Sequence, residues 1–413
     1  MLNFGGSIKL FDLLGLLFAA HQVRCRVVNN LTLVVMCISL VGLVILLSET
    51  YFGFRDTYQV IYPSSKSSIR HGSFAGVFYV GILLMVWYGT TRILSSDRLI
   101  VFPEETKIKI IRNFINFGVF VALYSLWALI FVGNLSFPDI VPSILDARNS
   151  QPEDYSFRTV GFSDEPSMLF VTLNFLLFLM LSFGTRLGVR YLKIKIFIVG
   201  LSLLLTFSSL MISVILATFI YCLLKMDLRI MIRTMFIFGF ATSLLYLITK
   251  YLGIVSFLVY SFYFKFLTFF SANLTVGAGF RSFTTRTGID AVLQYPFGAG
   301  FGQHFVLWQT YLNEKGLSHP SLDYTSVVQS GLVQFALEFG IIGLLLFIFY
   351  FYLVYKKVCV NLSGEKTIHT LIQIWLISHF IISFVAFPLY SPVYYFPLLF
   401  ILWASFLLKV YHE

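Results

Sequence analysis

Charge is what this 413-residue sequence has least of: Lys, Arg, Asp and Glu together make up 12% of it, where a soluble globular chain carries about 25%. That is too little to cover a water-facing body of 47.2 kDa, and it excludes a soluble enzyme and a disordered chain. Cysteine is scarce as well. Cys25, Cys37, Cys222 and Cys359 lie in or beside apolar runs, without the spacing of a metal site or a disulfide scaffold, and are expected as small core residues. The sequence has no P-loop, no HExxH, no GxSxG, no paired CxxC and no Asp-x-Asp pair to hold a metal on a sugar diphosphate. Chemistry without a metal ion or cofactor is therefore expected. The apolar stretch Leu10–Ala20 is followed by His21, Arg24 and Arg26 rather than by small residues, so a removable signal peptide is not expected.

What is abundant is apolar surface. Hydrophobic residues reach 58% and aromatics 18%, and mean hydropathy is +0.86. The fold class expected is all-α, a polytopic integral membrane protein. A span needs about 20 largely apolar residues, and Leu31–Leu47, Phe74–Thr91, Phe114–Leu135, Ser167–Gly184, Met231–Thr249, Leu332–Tyr355, Ile368–Phe387 and Val393–Leu408 meet that need. With Leu252–Phe270, the N-terminal stretch and Ile196–Leu224, the total is about 10–12 transmembrane helices in a single membrane domain, residues 1–413.

The net charge of +10 is explained by topology rather than by a nucleic-acid partner. Lys and Arg of membrane proteins collect in short cytoplasmic loops, and here they cluster at Arg92–Arg112, Arg186–Lys195, Lys225–Arg233 and Lys356–Lys366. If the second and third clusters share one side, Ile196–Leu224 must enter the membrane and return. Its polar centre, Thr206-Phe-Ser-Ser209, is the expected turn, covered by protein or facing a cavity. Two segments are expected on the opposite, external side: 136–166, where Asp139, Asp146, Glu153, Asp154, Asp164 and Glu165 outnumber Arg148 and Arg158, and the weakly apolar stretch 271–331.

The scarce charge in those two loops is where chemistry is sought. Asp164 and Glu165 precede Pro166 and Ser167 at a helix entrance, where acids are favourable in any case. Arg158 has no such local reason; it either snorkels at the membrane rim or binds an anion. Arg281 and Arg286 stand five residues apart beside hydroxyls. Guanidinium forks bind phosphate bidentately, so the pair suits a diphosphate, the alternative being contact with lipid headgroups. Ile289, Val292 and Leu293 have helical spacing, which predicts a short surface helix after Arg286. Gly298-Ala-Gly-Phe-Gly302 follows Pro296 in a loop and is expected to make a tight turn or a close helix approach. Lys315, His319 and Asp323 come next, then Glu338, an acid near an outer helix end that must face a cavity or a partner.

Taken together, Arg158–Ser167, Leu203–Ser209, Arg286–Gly302 and Glu338-Phe-Gly-Ile-Ile-Gly343 resemble, in order, the motifs of the O-antigen polymerase/O-antigen ligase superfamily, and particularly the Wzy-type polymerases. The resemblance implies a GT-C-like glycosyltransferase of the bacterial inner membrane with its active site facing the periplasm. Its donor and acceptor would be undecaprenyl-diphosphate-linked oligosaccharides, extended into lipopolysaccharide O-antigen or a related surface polysaccharide. The lipid bilayer and a separate chain-length regulator would be its partners. Arginines of both external loops would hold the leaving diphosphate, a role that falls on Arg158 and Arg286, with Arg281 ranking below them. In the ligase branch a catalytic histidine lies shortly before the Glu-x-Gly segment; here Val328 and Gln329 hold that place. The residues expected to take the acceptor proton are therefore His319 with Asp323 behind it, or a carboxylate, Glu165 or Glu338, with His304 ranking last. A ligase and a lipid-linked oligosaccharide flippase are the alternatives.

Overall fold

The apolar runs form helices that assemble into a bundle. The structure, a computed structural model, describes residues 3–4, 8–9, 29–52, 74–95, 104–134, 166–206, 208, 210–225, 232, 236, 277–300, 302–317, 328, 330–384, 389 and 392–410. Apart from a two-residue antiparallel pairing of β1 (Asn3–Phe4) with β2 (Ile8–Lys9), the described elements are helices. These are α1 (Asn30–Phe52), α2 (Phe74–Leu94), α3 (Glu104–Asn134), α4 (Pro166–Phe183), α5 (Leu192–Leu205) and α6 (Met211–Lys225), followed by α7 (Gly277–Gln294), α8 (His304–Glu314), α9 (Gly331–Asn361), α10 (Lys366–Ser383) and α11 (Pro392–Val410). Each expected span inside the described residues is a helix. Met231–Thr249 and Leu252–Phe270 lie outside them, apart from Ile232 and Phe236, as do the Leu10–Ala20 stretch and Cys25. Among the described residues, Cys37, Cys222 and Cys359 are thiols rather than disulfides.

Helices that are hydrophobic on all sides are set in an apolar medium or a large core. Asn30–Leu47, Glu105–Trp127 and Gly331–Asn361 are long and apolar enough to cross a membrane, and Leu169–Phe183, Ser213–Cys222 and Val393–Phe406 are shorter apolar helices. The main core joins α1–α6 and α9–α11 through large side chains, with Trp87, Phe175, Tyr350, Trp375 and Tyr394 fully buried. Trp87 stacks on Tyr395 at 6.1 Å and meets Tyr350 edge-on at 5.1 Å, so α2, α9 and α11 are locked by aromatic contacts. Helix entrances are set by local hydrogen bonds. At α1, Asn29 Oδ1 accepts from the Thr32 N–H at 3.0 Å while Thr32 Oγ1 accepts from the Asn29 N–H at 2.9 Å, a reciprocal cap.

The run Ile196–Leu224 forms two helices, α5 and α6, that run in opposite directions. Lys195 Nζ donates to Asn116 at 2.6 Å and Ser202 bonds Ser125 at 2.6 Å, so α5 runs parallel to α3. Ser213 bonds Ser378 at 3.2 Å and Tyr221 bonds Thr370 at 3.1 Å, so α6 runs antiparallel to α10. The turn at 206–210 supplies its own partners: Ser208 N–H donates to Thr206 Oγ1 at 3.4 Å and Leu210 N–H to Ser208 Oγ at 3.3 Å. Thr206, Ser208 and Leu210 are buried, so protein covers the break. Basic side chains gather where α3, α5 and α10 begin and α4 and α9 end: Arg186 pairs with Glu365, Arg112 donates to the Leu187 carbonyl, and Lys357 lies 6.0 Å over the Phe406 ring.

A second, smaller core stands at the opposite end of α9. Ala291, Val292, Leu307, Trp308, Leu312, Val333 and Leu337 draw α7, α8 and the first turns of α9 together. The segment 271–331, expected as a loop, thus carries two helices. The surface helix expected after Arg286 begins upstream, at Gly277; Thr284, Thr287, Ala291 and Val292 point inward, while Ile289 and Leu293 are exposed.

Candidate functional site

The resemblance segments 286–302 and 338–343 form one spliced unit. Gly340 breaks α9 with φ 67° and ψ −176°, a region open essentially to glycine alone. The broken helix leaves backbone groups without their usual partners, and the glycine loop provides others. Ala299 N–H donates to the Leu337 carbonyl at 2.9 Å, Gly300 N–H to the Glu338 carbonyl at 2.8 Å, and Ile341 N–H to the Pro296 carbonyl at 2.8 Å. The approach is so close that a Cβ at Gly298 would stand 2.5 Å from the Gly340 nitrogen. The tight turn and close helix approach expected of Gly298–Gly302 are both present, and the helix it approaches is the one carrying Glu338.

Glu338 itself faces a partner. Its Oε1 lies 2.5 Å from Nδ1 of His304, the first residue of α8, and both residues are buried. One hydrogen bond joins Glu338 Oε1 to His304 Nδ1, and Nε2 is the other end of the ring. Gln334, one turn before Glu338, stands 3.3 Å from the same Nδ1. His304 Nε2 is sealed from solvent and has no hydrogen-bond partner among the described residues.

Arg286 lies on the exposed side of α7. Among the described residues Arg286 belongs to no ion pair. Its helix is nonetheless fixed to the same unit. The neighbouring Thr287 accepts from Trp308 Nε1 at 2.9 Å, one turn beyond His304, and Gly288 packs so tightly on α9 that a Cβ there would stand 2.7 Å from Val333. At the far end of α7, Tyr295 O–H donates to Glu314 Oε2 at 2.6 Å, and Gln294 donates to the same oxygen at 2.7 Å. Burial, then the Glu314 carboxylate, push the Tyr295 phenol up to about 12.

The remaining site residues expected from the sequence are not brought into view. Arg158, Glu165, His319 and Asp323 lie outside the described residues, and of Arg281 only the helical backbone in α7 is described. His304, placed last by sequence reasoning, proves to be the histidine held by a carboxylate. Its position at a helix entrance just after the glycine loop was the available signal; its partner, 34 residues away, was not. No group of three or more His, Cys, Asp or Glu among the described residues is placed to hold a metal ion.

Fold and site define a helical protein with apolar helices suited to a membrane and a buried His–Glu pair at a broken helix. Comparison of the chain with protein-family models, with curated proteins and with solved structures found no match.

Proposed function

We propose that this chain is a glycosyltransferase that joins undecaprenyl-diphosphate-linked oligosaccharides at the periplasmic face of a bacterial inner membrane, in a multi-pass arrangement of about 10–12 spans. In this reading a hydroxyl of the acceptor sugar attacks the anomeric carbon of the donor, the glycosidic bond forms, and undecaprenyl diphosphate leaves. The chemistry needs cationic forks on the departing diphosphate. Arg286, Arg158 and Arg281 fill that role, and a group near the acceptor takes its proton.

The observation that supports the reading most is the splice itself. The segment carrying Arg286 and the glycines, and the segment Glu338–Gly343, are bonded through Ala299, Gly300 and Ile341 into one body. An exposed arginine is thereby mounted on a rigid platform that includes a buried His–Glu pair. Glu338 is sealed and engaged by His304, so it serves to position α8 against α9. This leaves His319, with Asp323, and Glu165 as the proposed proton acceptors.

The test is the surface glycan of a deletion strain. A polymerase predicts single-repeat glycan on the surface, restored to a ladder by the wild-type gene but not by Arg286→Ala or Arg158→Ala at equal protein level. Complete loss of surface repeats would instead identify a flippase, and polymer left unattached on its lipid carrier would identify a ligase.

A further inference from the structure

The exposed side of α7 is split lengthwise. One edge carries Ile289 and Leu293, the latter 70% exposed, and continues into Phe297, 74% exposed just past the helix end. The other edge carries Asp290 and Gln294, also exposed. Such a division suits a helix lying along a boundary between water and hydrocarbon.

What meets the apolar edge can be read from its neighbours. Phe297 borders an open apolar groove of about 290 Å³ shared with Leu40 and Val44 of α1 and with Phe339 and Ile342 of α9. Leu40, Val44, Ile342 and Leu345 point outward from helices of membrane-crossing length. The apolar edge of α7 is therefore continuous with the exposed apolar sides of two helices long enough to cross a membrane, at the end of α9 opposite Lys356 and Lys357. Arg286 lies between the two edges, seven residues before Leu293 and so about 10 Å along the axis.

We propose that α7 is an interfacial helix, seated along one boundary of the bilayer with Ile289, Leu293 and Phe297 among lipid chains and Asp290 and Gln294 in water, which holds Arg286 at the level of lipid phosphates. The groove at Phe297 and Ile342 is then filled by lipid hydrocarbon, and the break at Gly340 is shielded from water on that side. The arginine needs no loop movement to meet a lipid-borne phosphate, because the helix already floats at that depth.

Spin labels report this directly. Ile289→Cys, Leu293→Cys, Phe297→Cys, Asp290→Cys and Gln294→Cys are made in a chain with its four native cysteines replaced, and are reconstituted in nanodiscs of phosphatidylethanolamine and phosphatidylglycerol. Labels at 289, 293 and 297 should relax more with oxygen than with a water-soluble nickel complex, and labels at 290 and 294 should show the reverse. Equal nickel accessibility at all five positions would overturn the proposal. If the cysteine-free chain fails to fold, a diazirine amino acid at 293 and 297 of the otherwise native chain decides the matter: lipid adducts support the seating, and their absence contradicts it. The reading rests on depth alone, so it stands or falls separately from the glycosyl-transfer assignment.

Discussion

His304 Nδ1 and Glu338 Oε1 lie 2.5 Å apart in a site closed to solvent, tying the first residue of α8 to the turn of α9 that precedes the Gly340 break. Removing one member of a buried pair leaves the other with a desolvated charge or an unmet donor, which costs about 3–5 kcal/mol. Glu338→Ala and His304→Ala should each lower thermal stability in detergent by an amount of that order. The double variant Glu338→Gln with His304→Gln should recover much of it, because two amides can bond each other. In the double variant Glu338→Ala with His304→Ala, strict additivity of the single losses would show that the two side chains do not interact.

Gly340 makes a second, purely steric prediction. A Cβ at this residue would stand 2.5 Å from the Phe297 carbonyl oxygen, and its φ of 67° disfavours any side chain. Gly340→Ala should cost about 1–3 kcal/mol from backbone strain alone, with the clash in addition. Gly81→Ala, in the interior of α2 with nothing within 4 Å of its Cβ, should be neutral or stabilise by about 0.5–1 kcal/mol. Equal melting temperatures for the two variants would remove the claim that the loop is wedged into the broken helix.

The opposed helices α5 and α6 predict a topology. Because α5 runs with α3 and α6 runs against α10, single cysteines at Lys195 and Lys225 should react with a membrane-impermeant maleimide from the same side of the membrane, the side that also labels Lys357. Labelling of 195 and 225 from opposite sides would mean one full crossing instead of two half-helices.

Tyr295 carries the pH dependence. Its phenol is held protonated up to about 12, chiefly by burial and then by Glu314. An acid whose folded value is raised stabilises the fold fully below its unfolded value, about 10 for tyrosine, and loses that contribution as pH rises through the folded value. The α7–α8 junction should therefore weaken between about pH 10 and pH 12. In Tyr-labelled protein, the ¹³C resonance missing from Tyr295→Phe should titrate near the top of that window, and Glu314→Gln should bring its midpoint down. A midpoint near 10 with Glu314 intact would contradict the account.

Much of the fold was legible because apolar run length and charge placement are physical requirements of a membrane rather than statistical tendencies. Leu31–Leu47 and Ser167–Gly184 could be nothing but helices, and the turn at Thr206–Ser209 followed from two basic clusters that had to share a side. The extent and inward face of α7 were not legible. Its opening Gly277-Ala-Gly carries no apolar period, and periodicity at Ile289 and Leu293 marks a helix without telling whether core or lipid meets its apolar edge. The Gly340 break hid inside the expected span Leu332–Tyr355, where glycine is common. The His304–Glu338 pair is a tertiary contact across 34 residues, which no local pattern encodes.

Glycosyl transfer assisted by Arg286, as proposed above, turns on an exposed residue whose loss should change stability by no more than about 0.5 kcal/mol. Purified protein in proteoliposomes, supplied with lipid-linked repeats extracted from a deletion strain, tests it most directly. Lipid-linked products of two and more repeats, with release of undecaprenyl diphosphate, are expected from the wild-type protein, and none from folded Arg286→Ala. Longer chains from Arg286→Ala at the wild-type rate, or no chain growth by the wild-type protein, would contradict it.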